Sequence, residues 1–532
     1  MRILQSFWSR PSKSNNYQDD FGRYGGGWIS EKYHAMSWAL SCLNFKRFYE
    51  EVELYTDNDG TNWLIDKLGL PYTNVVNTLD QINNYNSSLW ALAKTYTYLQ
   101  QDSPFLHADS DVYIWQPFNR DFLNNRVFAQ NIEYDRADNP IGIYINSIEN
   151  LPAKLAYTPQ FLTDIAESYQ KEGRIEAINT GIIGGQDVGF LKSYARFVFD
   201  FLDKNNSVVF ESSDMNLVEQ LFLYCLAKDT DLPVQFLFEE EKAVSASAYA
   251  SMIQFNLAPI VKKYIHLVGY GKKREDCCSQ VALRLKYEYP LMYNHINSLY
   301  KGSVINYPRG GTVNPIMPGL EGSFHNTCLL LQQQGKKYNR TSSCSSFITT
   351  VDKILSEAEG VDGDLLLGDI YEIEKFYYLW IDHYKVRKGD NGIADRLLDL
   401  LYNSEVSEFL NYKFTLNIPF IKTAFVNFAY PANFSVSDLT RMIPGLGEIN
   451  NESHKDLVLL KMGDSDTIHV KPLSGWEILL AYFDGEEING NELIELIRDG
   501  GIQEGKDIED LAIFVLSFLT MNSLYFNYLR LV

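Results

Sequence analysis

Cysteine is scarce in this chain: six residues in 532, at Cys42, Cys225, Cys277, Cys278, Cys328 and Cys344. None forms a Cys-x-x-Cys pair, and adjacent Cys277-Cys278 does not have a zinc spacing. The usage points to free thiols in a reducing compartment, so a cytoplasmic location is expected. There, triplets such as Asn339-Arg340-Thr341 carry no meaning as glycosylation sites. Positive charge is also short. The chain has 47 Lys and Arg against 68 Asp and Glu, a net charge of −21. So acidic a chain is a poor partner for a nucleic-acid backbone or an anionic membrane surface. No apolar run reaches the roughly 18 residues a membrane span needs, so no span is expected. The opening residues, Met1 to Trp8, are too short for a signal peptide and read as a first strand. Low-complexity tracts and clear internal repeats are missing as well.

What remains is a globular composition, with 45% hydrophobic and 22% charged residues. Aromatics reach 14%, with 35 Tyr and 31 Phe, and core packing is their first use. The length allows roughly two to four domains. Over the first 300 residues strand-like and helix-like segments alternate. Arg2 to Phe7 and Val52 to Asp57 read as strands, and Glu31 to Phe48, Trp63 to Leu68 and Ser87 to Gln100 as helices. That rhythm predicts a mostly parallel α/β sheet, in which ligands sit at the carboxyl ends of the strands. A Pro- and Gly-rich stretch from Tyr300 to Ser323 then breaks the pattern. The expected division is an α/β domain at 1–302, a linker or wrapping loop at 303–345, a helical domain at 346–454 and a final domain at 455–532. Helices are expected at Phe347 to Glu359 and Ile370 to Tyr384.

The segment richest in chemistry runs Phe105-Leu106-His107-Ala108-Asp109-Ser110-Asp111-Val112-Tyr113-Ile114-Trp115. An apolar lead-in ends in two aspartates two apart, and an apolar-aromatic run leads out. Alternation along an extended chain lets Asp109 and Asp111 share a face. Two carboxylates that close repel unless a cation sits beside them. Hard divalent ions such as Mg2+ or Mn2+ suit that place and often carry substrate phosphates. A solvated turn is the other reading of an Asp-x-Asp pair.

Three further segments join it. Asn179-Thr180-Gly181-Ile182-Ile183-Gly184-Gly185-Gln186 is a short apolar strand with glycines that let backbone approach a ligand. Asp214 to Tyr224 is helix-like and carries Glu219 and Gln220. Tyr264-Ile265-His266-Leu267-Val268-Gly269-Tyr270-Gly271-Lys272-Lys273 ends a strand in a histidine and continues with glycines and lysines. A neutral imidazole can ligate a metal, and Lys272 offers a point charge to a phosphate. Taken singly, these also read as a tight strand, an amphipathic helix with an acidic face, and a core histidine beside a solvated loop.

Their order resembles the nucleotide-sugar glycosyltransferases of the GT-A fold, in particular the glycogenin and lipopolysaccharide galactosyltransferase group. Lys94 in Leu89-Trp90-Ala91-Leu92-Ala93-Lys94 matches that group's lysine-bearing helix before the Asp-x-Asp strand. Asp109-Ser110-Asp111, Asn179-Thr180-Gly181, Glu219-Gln220 and the His266, Gly269, Lys272 series match its later motifs, over roughly residues 1 to 300. The resemblance implies a GT-A domain with a mainly helical α+β region behind it. It implies Asp109, Asp111 and His266 as ligands of Mn2+ or Mg2+. Lys272 and Gly269 would receive a diphosphate. Lys94, Asn179, Gly181 and Gln186 would orient a donor sugar, and Gln5, Ser6, Trp8 and Asp57 would line the base and ribose. Gln186, Asp214 and Glu219 are the candidate catalytic residues. The implied partners are a nucleotide-sugar donor, with UDP favoured, and a glycan, peptide or protein acceptor. A silent binding module and a nucleotidyltransferase stand as alternatives. The latter usually shows a Gly-rich basic loop after the first strand, whereas this chain has Gln5-Ser6-Phe7-Trp8 there.

The last block resembles a winged-helix unit of the kind that holds leader peptides. It has two strands at Leu457 to Met462 and Thr467 to Val470, and a capping box at Ser474-Gly475-Trp476-Glu477. Helices to Phe483, from Glu492 to Arg498 and from Ile508 to Met521 follow. A purely structural or oligomerising tail is one expectation for this block, and recruitment of a peptide or protein acceptor is the other.

Overall fold

The computed structural model describes residues 1–13, 24–136, 144–238, 253–301, 324–339, 343–357, 367–368, 371–372, 374–375, 378, 391–416, 422–425, 434–435, 455–461, 468–472, 477–483, 485–500, 506–525 and 528–532. The chain divides into two compact units, Met1–Pro308 and Arg309–Val532.

In the first unit the strands are β1 (Arg2–Phe7), β2 (Val52–Thr56), β3 (Asn74–Asn77), β4 (Phe105–Ala108), β5 (Val112–Ile114), β6 (Val127–Arg136), β7 (Arg174–Gly185), β8 (Val234–Phe236) and β9 (Tyr264–His266). Seven of them form one sheet in the order β3-β2-β1-β4-β7-β6-β8. All neighbours in it are parallel except β4 with β7 and β6 with β7. Only β7 therefore runs against the rest, and the expected mostly parallel α/β sheet is present. Successive residues feed opposite faces. Leu4, Phe105, Ala129 and Ile183 join one apolar core, while Ile3, Leu106, Phe128 and Ile182 join another. A sheet covered on both faces needs such unbroken apolar runs. β5 and β9 pair separately as a short antiparallel ribbon.

Strand order reverses at β1: β2 and β3 lie to one side and β4 to the other. The ends of β1 and β4 thus flank a topological switch point, where open α/β sheets bind ligands. The helix Glu31–Phe48 forms over the predicted residues, with Ser30 accepting from Tyr33 N–H as its cap. The helix expected from Ser87 begins only at Leu92 and runs to Leu99. Asn86 accepts from Ser88 N–H and holds the preceding residues in a turn.

The second unit contains the helices Cys344–Ser356, Asn391–Asn403, Gly490–Asp499 and Ile508–Thr520. Its strands are β10 (Lys413–Leu416), β11 (Lys422–Phe425), β12 (Phe434–Ser435), β13 (Lys455–Lys461), β14 (Ile468–Pro472), β15 (Ile488–Asn489) and β16 (Leu529–Leu531). They form sheets ordered β15-β10-β16 and β11-β13-β14-β12. This arrangement gives no support to the winged-helix expectation. The elements of 455–532 exist, but each sheet mixes them with strands from residues 413–435, so a boundary at 455 cuts both sheets. The stretch expected as a linker contains a helix at His325–Gln333, and Leu331 on it is fully buried. The Ser474 capping box and most of Ile370 to Tyr384 lie outside the described residues. A capping box does occur at Asn489 and Glu492, opening Gly490–Asp499. Among the described residues no helix is long and apolar enough to cross a membrane. All six cysteines are free thiols.

Candidate active site

β4 stops at Ala108, and the chain turns through Asp109-Ser110-Asp111 into β5. Asp109 N–H donates to Gly181 O at 2.9 Å, and Val112 N–H returns to Asp109 O at 3.2 Å. The β5–β9 ribbon places His266 opposite Val112. Leu267 N–H donates to Asp111 O at 3.0 Å, which fixes the histidine strand against the aspartate turn. Asp109, Asp111 and His266 thereby offer ligand atoms that all lie within 4.8 Å of one another. Asp111 and His266 are buried, and Asp109 is 26% exposed at its side chain. Two carboxylates and an imidazole suit a hard or borderline divalent ion such as Mg2+ or Mn2+.

Two lysines balance the carboxylates. Lys272 Nζ lies 2.6 Å from Asp111 Oδ2, delivered by the turn Gly269–Lys273 after β9. Gly269 begins that turn at φ +47°, a conformation suited to glycine. Lys94 is buried. Its Nζ lies 3.0 Å from Asp109 Oδ1, donates to Thr180 O at 3.0 Å, and pairs with Glu219. Burial opposes the charge on Lys94, but Asp109 and Glu219 outweigh it and keep the amine protonated. The two aspartates separate electrostatically. Burial alone would raise Asp111, but the Lys272 ammonium beside it holds it far below the usual carboxylate range. Burial, reinforced by Asp111 and Glu219, raises Asp109 despite Lys94.

These groups open on a cavity of about 610 Å3, whose lining reaches from Asp109, Asp111, His266 and Lys272 to the rings of Phe7 and Trp8. Ser6, Lys94, Asn179, Gly181, Glu219 and Gly269 also line it. Asn179 accepts from Gly181 N–H at 2.8 Å and donates to Glu133. One oxygen of Glu219 takes Lys94 and Thr180 Oγ1, and the other has no hydrogen-bond partner among the described residues.

Four predicted residues fall elsewhere. Gln5 is fully buried and spent on Ser41 Oγ at 2.9 Å and Tyr72 Oη at 2.7 Å, because it leaves β1 on the face that the helix Glu31–Phe48 covers, outside the cavity lining. Asp57 accepts from Gly60 N–H and from Ser9 N–H and Oγ–H at 2.7–2.8 Å, so both its oxygens serve the backbone turns around it. Gln186 follows the one antiparallel strand. Gly185 pairs with Phe105 at the start of β4, so Gln186 lies at the opposite edge from Asp109, with its amide on Leu123 O at 3.0 Å. Asp214 accepts from Ser147 Oγ and Glu211 N–H and is outside the cavity lining.

Sequence reasoning missed Gln130 and Glu133 on β6, and His34, Trp38 and Trp90, which line the cavity with Glu133. Gln130, Asn131, Glu133 and Asp135 are all buried within one strand. Such polar density inside a strand flanked by apolar residues was the available signal.

The chain belongs to a family of unknown function (DUF6734), whose model matches residues 1–299. No curated protein matches it. Among solved structures it is similar to the galactosyltransferase LgtC, determined in complex with donor and acceptor sugar analogs. Identity is 11%, 56% of this chain and 96% of that chain are covered, and the TM-score is 0.27. A likeness that loose gives no account of the chemistry here, which rests on the site itself.

Proposed function

We propose that this chain is a metal-dependent glycosyltransferase that moves a sugar from a nucleotide-sugar donor, with UDP-sugars first among them, to a glycan, peptide or protein acceptor. One observation carries the reading: Asp109, Asp111 and His266 converge within 4.8 Å at the ends of β4 and β9, on the wall of a cavity large enough for a nucleotide. A bound Mn2+ or Mg2+ would supply charge to stabilise the departing diphosphate. Lys272 adds a point charge at the same wall. Asn179 and Glu219, polar and buried on the cavity lining, offer hydrogen-bonding groups to sugar hydroxyls, and Lys94 holds Glu219 and Asp109 in place. Phe7, Trp8 and Trp38 give apolar area for a base.

Calorimetric titration of UDP into the full chain tests this. Binding is expected with Mn2+ or Mg2+ and is expected to vanish in EDTA and in Asp111→Ala. Donor turnover is expected to release a nucleoside diphosphate. Binding that is unchanged in EDTA, or release of pyrophosphate, overturns the reading.

A further inference from the structure

A metal-ligating histidine must present a lone pair to the ion, and what its other ring nitrogen bonds to decides which nitrogen that is. Here the decision can be followed back to the backbone. Asn131 Nδ2 donates to Ile132 O at 2.8 Å. A carbonyl only accepts, so that end of Asn131 is its amino group and its Oδ1 is the acceptor. Gln130 Nε2 donates to that Oδ1 at 2.9 Å, which leaves Gln130 Oε1 as an acceptor. His266 Nδ1 lies 2.7 Å from this oxygen and therefore carries the proton. The lone pair falls on Nε2, the ring nitrogen 3.6 Å from Asp111 Oδ1. Tyr264 Oη–H donates to the same glutamine oxygen at 2.5 Å, reinforcing its sense.

The backbone is shaped for this contact. The β6–β7 ladder is regular except for a register shift between Ala129 and Asn131, so Gln130 sits in the irregularity. Irregularities of this kind re-aim side chains next to functional sites. Gly181 lies on the facing strand. A Cβ there would come within 2.3 Å of His266 Cε1 and 2.6 Å of Gln130 Oε1, so the pair fits only over a glycine. Gln130 itself is fully buried, and it is absent from the cavity lining.

We propose that Gln130 is the positioning residue of the metal centre, acting through His266 by fixing its tautomer and ring orientation. The proposal rests on the metal reading of Asp109, Asp111 and His266 given above. Loss of such an outer partner typically weakens metal binding roughly 10- to 100-fold.

The test is a double-mutant cycle on the full chain. Free Mn2+ is followed by electron paramagnetic resonance during titration, a readout independent of turnover. Gln130→Leu is expected to weaken Mn2+ roughly 10- to 100-fold. His266→Ala should weaken it at least as much, and the double variant should be no weaker than His266→Ala alone. Gln130→Glu keeps an oxygen facing Nδ1–H but loses the donor to Asn131 Oδ1, so it should bind Mn2+ more tightly than Gln130→Leu. It also serves where the leucine variant does not fold. Additive losses in the cycle, or a Gln130→Glu that binds as weakly as Gln130→Leu, overturn the positioning role. A wild-type chain that takes up no Mn2+ instead overturns the metal reading beneath it.

Discussion

His34 is a buried imidazole between rings, 4.8 Å from Trp63 and 6.0 Å from Phe7 by centroid, with Nε2 accepting from Trp38 Nε1–H at 3.0 Å. Burial, helped by Lys272, lowers its pKa from 6.5 to about 3. The unfolded chain therefore takes up a proton below 6.5 that the folded chain refuses. The stability contributed by neutral His34 is whole above that pH and is lost as the pH falls toward 3. Across the window the slope from this one group is about 1.4 kcal/mol per pH unit. His34→Gln keeps an acceptor for Trp38 and removes the titration. Urea unfolding followed by tryptophan emission at pH 7, 5.5 and 4.5 should show the wild type losing stability more steeply than the variant. Parallel losses would mean that the proton is taken up in the folded state. At this scale the sequence exposed what stands at strand ends: Asp109, Asp111, His266 and Lys272 are legible because a charged residue after an apolar run has few structural uses. Gln130 and Glu133 were not, because a polar residue inside a strand reads as one facing water until a second layer is known to cover that face.

Two elements show how direction and capping redirect a residue that composition alone marks as functional. The Asn179 to Gln186 segment was legible as a strand with ligand-facing glycines. Its direction was not, because nothing in one strand's own sequence states which way its neighbours run. The antiparallel course of β7 brings Asn179 and Gly181 to the site and carries Gln186 to the far edge. Asp57 ends β2 at the ligand edge of the sheet, but β2 lies one strand away from the switch point between β1 and β4. There its carboxylate accepts from Gly60 N–H at 2.7 Å as a helix cap and from Ser9 at 2.8 Å. Asp57→Ala should therefore cost about 0.5–2 kcal/mol of stability, the range for a lost N-cap. Mn2+ affinity and the donor Michaelis constant should stay unchanged. Denaturant titration and donor kinetics check the two halves, and a raised Michaelis constant with intact stability would return Asp57 to the ribose.

At the scale of the whole chain, all groups that define the site lie before Pro308. Asp109, Asp111, His266 and the two lysines belong to the first unit, as do both apolar cores that flank its sheet. The family match ends at residue 299, close to the same place. The alternation of strands and helices made this unit readable, since buried parallel strands and covering helices leave separate periods in the sequence. The second unit was less readable, because its strands pair across long separations, as Phe414 does with both Ile488 and Leu531. Removing residues 455–532 would take β13 and β14 from one sheet and β15 and β16 from the other, so that cut cannot separate an acceptor-binding role from damage to the fold. The cut that respects the pairing lies at 308. Residues 1–308 expressed alone are expected to fold cooperatively, and to bind Mn2+ and UDP within roughly threefold of the full chain, since a unit with its own core and complete site needs no other part for that step. Circular dichroism with thermal melting reports the first expectation, and calorimetry the second. If the fragment folds and binds the donor but transfers sugar to no acceptor that the full chain modifies, residues 309–532 act on the acceptor side. A folded fragment that binds neither metal nor UDP, while the full chain binds both, would instead make the second unit part of the donor site.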